Sequence, residues 1–90
     1  MQKPRRRWHV LIAVEGDSWQ QCGTAAARAI EILNKGDPHA IEREGKPFHT
    51  QQDFGSSGMS LEINHDPKMT PDVYAELMDA WRKFQSEPGA

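Results

Sequence analysis

Four histidines, one cysteine and thirteen carboxylates are the side chains of this 90-residue chain with the means to do chemistry. His9, His39, His49 and His65 are spread along its length, and no two of them stand at i and i+4. Zinc sites announce themselves through close ligand pairs such as C-x-x-C or H-x-x-x-H, because one turn or one helix face then presets two bonds to the metal. No such pair occurs here. His65 and Asp66 with Cys22 are a set that folding would have to assemble from distant segments. The sequence predicts no metal site and no cofactor.

Cys22 beside a histidine would be a nucleophile with its base. It falls, however, on the apolar stripe of a helix, where a cysteine behaves as a small inert hydrophobe. Val14-Glu15-Gly16-Asp17-Ser18 has the outline of a strand-to-helix anion site. It holds one glycine and two acids, matches neither phosphate-loop pattern, and would repel a phosphate. Ser18 reads better as a helix cap. Glu15 and Asp17 sit at a strand end, where catalytic acids are often found, but they have no partner in the pattern. No constellation points to an enzyme.

Charge is the next signal. Lys3, Arg5, Arg6 and Arg7 gather in the first seven residues, leaving seven bases against thirteen acids in the remainder. A basic tip on an acidic body can touch a phosphate backbone or an acidic protein. With Trp8 following, arginine contacts and base stacking make nucleic-acid association one reading. The isoelectric point near 6.0 lies well below that of a dedicated nucleic-acid binder. The alternative reading is a solvated leader. The single cysteine forms no internal disulfide, which suits a reducing cytoplasm. The apolar run after the basic tip is too short for a secretory signal, and no stretch approaches a bilayer span.

These side chains need elements to hold them. Trp8 to Val14 is the longest apolar run, rich in β-branched residues, and reads as a strand with apolar residues on both faces. Two apolar faces predict an interior strand. Ser18 with Gln21 forms an S-x-x-Q capping box, with Asp17 and Gln20 as an overlapping alternative. A helix then runs to about Asn34 with Trp19, Cys22, Ala26, Ala29, Ile30 and Leu33 inward. Gly36 is placed to end it in the left-handed conformation, and Pro38 blocks continuation. Ala40 to Arg43 and Pro47 to Gln52 read as weak strands around a Glu44-Gly45-Lys46 turn, with Phe48 and Phe54 as apolar anchors. Gly55 to Gly58 reads as a flexible loop. Met59 to Asn64 alternates with period two, placing Met59, Leu61 and Ile63 in a core. Thr70 caps a last helix with Pro71 at its first position. Val73, Tyr74, Leu77, Met78, Trp81 and Phe84 form its apolar stripe, and Asp79 with Lys83 forms an i,i+4 pair.

The expected fold is α+β: a two-layer sandwich with a mainly antiparallel sheet, two helices on one face, and the order β-α-β-β-β-α. A basic flexible arm at 1–7, a single domain at 8–87 and a tail at 88–90 complete the expected organisation. With the helices on one face, His9, Leu11 and Ala13 look out of the other. Leu11 there predicts a patch for another protein or for a second copy of the chain. The competing reading folds the 40–54 hairpin over that face.

Val14-Glu15-Gly16-Asp17-Ser18 before an alanine-rich helix, the Gly-Ser break before Met59, Asp66-Pro67-Lys68-Met69-Thr70-Pro71, and Tyr74, Leu77 and Trp81 together resemble small bacteriophage and prophage proteins of unknown function. The resemblance implies a bacterial or phage source and no defined activity; by analogy of size and setting, compact α+β proteins of this kind often bind and block a host protein in the host cytoplasm, defence complexes included. The leading expectation is therefore a protein–protein interaction module, with nucleic-acid association through the arginine arm as the alternative.

Overall fold

A computed structural model describes residues 2–86, so the 88–90 tail lies outside the described residues. The elements are β1 (Trp8–Gly16), α1 (Trp19–Lys35), α2 (Pro38–Glu44), β2 (Phe48–Asp53), β3 (Ser57–His65) and α3 (Pro71–Ser86). The α+β class stands, but the order is β-α-α-β-β-α. The segment expected as a first weak strand is helical. Asp37 caps α2, its carboxylate accepting from the His39 N–H at 3.0 Å, and Pro38 takes the first helical turn. Asp-Pro is a helix-start signature, since proline has no N–H to waste there. Read only as a stop for α1, Pro38 concealed the start of α2. Gly36 is also not left-handed; its φ is −66° and its N–H donates to the Leu33 carbonyl. The left-handed glycine is Gly45, φ 66°, which ends α2.

Three strands form one sheet in the order β1-β3-β2. The interior strand is therefore β3, and β1, expected inside, lies at an edge. Strands β2 and β3 pair antiparallel, with Thr50 opposite Leu61 and Gln52 opposite Met59. Phe54 N–H donates to Ser57 C=O (2.8 Å) across the turn, and Gly55 turns there at φ 90°. The stretch expected as a loose loop is thus a tight hairpin, its last two residues already in β3. β1 also runs antiparallel to β3. Asp66 N–H donates to Arg7 C=O (2.8 Å) beyond one end, and Asp17 N–H donates to Ser56 C=O (3.0 Å) beyond the other, with equal steps along both chains between them.

The chain forms two compact units. One is Val10–His65; the other joins the residues before Val10, the first two of β1 included, to the chain after His65. In the first unit α1 lies on β3. Ala25 and Ala29 of α1 and Met59, Leu61 and Ile63 of β3 are the buried cluster, with Ile32, Leu33 and Ile41 packed against it. Alternation along β3 was read correctly, and small alanines let the helix approach the sheet closely. The buried stripe of α1 is rotated from the expected one: Trp19 is 92% exposed and Ile30 also faces solvent. Ser18 caps α1 by accepting from the Gln21 N–H (3.2 Å), which selects Ser18 over Asp17. Arg28 reaches across to β2, its Nε donating to Gln52 Oε1 at 3.2 Å.

In the second unit Thr70 caps α3 as expected, its hydroxyl accepting from the Val73 N–H (3.3 Å). Met78 is buried, Tyr74, Trp81 and Phe84 are half-buried, and Val73 and Leu77 are exposed, so the stripe is narrower than the sequence suggests. Asp79 meets Arg82 (3.7 Å) rather than Lys83. The arm lies along α3: the Arg6 guanidinium stands 4.3 Å from the Tyr74 ring centre and Lys3 Nζ 5.8 Å from that of Trp81.

Candidate interaction surface

β1 is nine residues long, and its burial is the reverse of what its composition suggests. Val10, Ile12 and Val14 fall on the face that α1 covers at β3, because antiparallel register sets them beside Ile63, Leu61 and Met59. Yet Ile12 remains 39% exposed, against 0% for Leu61 in the neighbouring strand. The edge position explains the difference: an edge residue has a strand on one side and solvent on the other. Leu11, on the opposite face, is 46% exposed, and Ala13 is exposed too. His9 is half-buried, and its Nδ1 is buried with no hydrogen-bond partner among the described residues.

Backbone groups add to the exposed side chains. The hydrogen bonds at Arg7 and Asp17 turn the odd-numbered residues towards β3. Alternation in an antiparallel ladder then points the N–H and C=O groups of Val10, Ile12 and Val14 away from the sheet. A long apolar edge with unpaired outward groups is a template for another strand, and proteins usually blunt such edges with charge, proline or a bulge. The other edge is blunted. β2 is six residues, Phe48-His49-Thr50-Gln51-Gln52-Asp53, polar except for its first.

The structure therefore sets His9, Leu11 and Ala13 on one strand, with Leu11 and Ala13 open to solvent. The sequence reading missed Val10, Ile12 and Val14 as surface residues. The signal was present in the apolar character of both faces, which fits an edge awaiting a partner as well as an interior strand.

The arm residues are divided. Lys3 and Arg6 are set over aromatic rings of α3, while Arg5 and Arg7 are exposed and make no ion pair among the described residues. An open cavity of about 350 Å³ lies between Arg6, Arg7, Tyr74 and Pro71 at the start of α3. A larger one, about 810 Å³, opens where β1 ends beside the β2–β3 turn, with Glu15, Asp17 and Asp53 at its wall. Among the described residues no three histidine, cysteine or carboxylate side chains are placed to hold a metal ion. Cys22 is half-buried on α1. The Lys35 ammonium (2.8 Å) and then the Arg28 guanidinium (3.2 Å) hold the Glu31 carboxyl below the ordinary glutamate range. Both partners lie on its own helix, so this is a surface triad. No described helix is long and apolar enough to cross a membrane. The chain matches no protein-family model, no curated protein and no solved structure.

Proposed function

We propose that this chain is a protein–protein interaction module that docks a partner along β1. One observation carries the reading: a nine-residue edge strand with apolar side chains exposed on both faces and the backbone groups of Val10, Ile12 and Val14 turned away from the sheet. Strand addition supplies affinity through main-chain hydrogen bonds and specificity through alternate side chains. In this reading the fold is a two-layer sandwich in which α1 covers one face of the sheet and the face carrying Leu11 and Ala13 stays open. The chain acts by contact and not by catalysis, in the cytoplasm of a bacterial host. Its resemblance to small phage proteins favours a phage-encoded inhibitor of a host protein, defence complexes included.

Val14→Pro tests the reading. Proline removes an outward N–H and adds bulk on the open side, but leaves untouched the backbone groups that β1 gives to β3. The variant is expected to keep its circular dichroism spectrum and lose partner capture. Capture that survives Val14→Pro and Leu11→Asp together refutes the reading.

A second reading, nucleic-acid association, is favoured by the exposed Arg5 and by the exposed Arg7, which lines the cavity at the start of α3. A gel shift separates the two. Phosphate binding weakens steeply with salt, and it would vanish when residues 1–7 are removed.

A further inference from the structure

We infer that the strand β1 receives is the β1 of a second copy, in antiparallel register about Ile12. The inference rests on the interaction-module reading and names its partner. The midpoint of Trp8–Gly16 is Ile12, and Ile12 is one of the residues whose backbone groups point outward. A two-fold axis at Ile12 therefore pairs Val10–Val14 with the same stretch of the second copy, the outward N–H and C=O groups of Val10, Ile12 and Val14 meeting those of the other.

The side chains agree with that register. Val10 falls opposite Val14 of the other copy, Leu11 opposite Ala13, and Ile12 opposite itself. The bulky Trp8 meets Gly16. His9 meets Glu15, and one residue beyond each end Arg7 meets Asp17. The base-rich start of the strand is thus set against its acidic end, and the axis repeats each contact twice. Moving the axis to Leu11 sets His9 against Ala13, and moving it to Ala13 sets Leu11 against Glu15. Either shift shortens the paired strand. A sheet joined in this way has six strands and ends at both sides on the polar β2, so the edge most open to indiscriminate pairing is closed.

Disulfide trapping tests the register. Residues opposite each other in a hydrogen-bonded antiparallel pair have Cα atoms about 5.5 Å apart, within disulfide range. In a Cys22→Ser background, Ile12→Cys is expected to cross-link to itself under mild oxidation. Val10→Cys is not, since its two copies would lie about 14 Å apart. Mixing Leu11→Cys with Ala13→Cys chains is expected to give the mixed disulfide, a second route if Ile12→Cys does not fold. Arg7→Asp and Asp17→Arg are each expected to weaken dimerisation roughly tenfold at low salt, and the double exchange to restore it. Sedimentation of the wild-type chain should show a concentration-dependent dimer that Val14→Pro abolishes. A wild-type monomer at millimolar concentration, or Val10→Cys cross-linking as readily as Ile12→Cys, overturns the inference. If that monomer still binds another protein through β1, the module reading survives and only self-pairing is lost. A dimer unaffected by every β1 variant overturns both.

Discussion

Cutting leucine back to alanine at positions 61 and 11 places one chemical deletion in two environments two strands make different. Leu61 is 0% exposed, the largest fully buried side chain among the described residues, and sits in the central strand beneath Ala25 and Ala29. Leu11 lies on the edge strand at 46% exposure. Removing a fully buried leucine loses its transfer free energy and leaves a cavity, together about 3–5 kcal/mol. A chain of this length has a total stability of about 5–13 kcal/mol. Leu61→Ala should therefore lower the melting temperature by roughly 12 °C or more. A fully buried leucine gains about 1.5–3 kcal/mol from burial, so the half-exposed Leu11 should cost about 1 kcal/mol, with little void left behind. Urea unfolding followed by circular dichroism gives both values, provided the slope with denaturant is unchanged. The measurement belongs at low micromolar concentration, where a self-associated form is depleted. If Leu11→Ala costs as much as Leu61→Ala there, β1 is not an open edge and the docking argument falls with it.

Three further outcomes follow from local geometry. A Cβ at Gly16 would sit 3.0 Å from the Cys22 backbone nitrogen and 3.0 Å from Gln21 Cβ, so Gly16→Ala should push the start of α1 off β1 and cost about 1–3 kcal/mol by thermal unfolding. Tyr74→Leu keeps an apolar side chain on α3 but removes the ring under Arg6; the expected loss is about 0.5–1 kcal/mol, together with faster proteolysis at Arg5 to Arg7, and an unchanged cleavage rate would contradict the placement of the arm. Glu31 has a folded-state value lowered chiefly by Lys35 and then by Arg28, so its contribution to stability is whole above the ordinary glutamate range and is lost as pH falls through the lowered value. Because the group is exposed, Glu31→Gln should flatten the acid limb of the stability curve only slightly, and salt should erase the difference.

What the sequence determined by itself was everything set by local chemistry. Ser18 and Thr70 cap helices because a hydroxyl before an amphipathic run satisfies a free N–H wherever the helix later packs. Met59, Leu61 and Ile63 turn inward because period-two alternation fixes one face of a strand, and this strand proved to be the central one. Asp37-Pro38 carried an equally local signal for α2, and it was legible once proline was weighed as a beginning as well as an end. Strand order was not legible. Whether Trp8 to Val14 lies inside a sheet or at its rim depends on which strand lies beside it, and that choice is settled by the hairpin β2–β3 and by how α1 seats its alanines on β3. The same residues, apolar on both faces, suit either position. Only the tertiary structure left them at the edge, because a three-stranded sheet has one interior place and β3, paired on both sides and covered by α1, occupies it. The candidate surface exists for that reason: its side chains were written in the sequence, and their exposure was decided by topology.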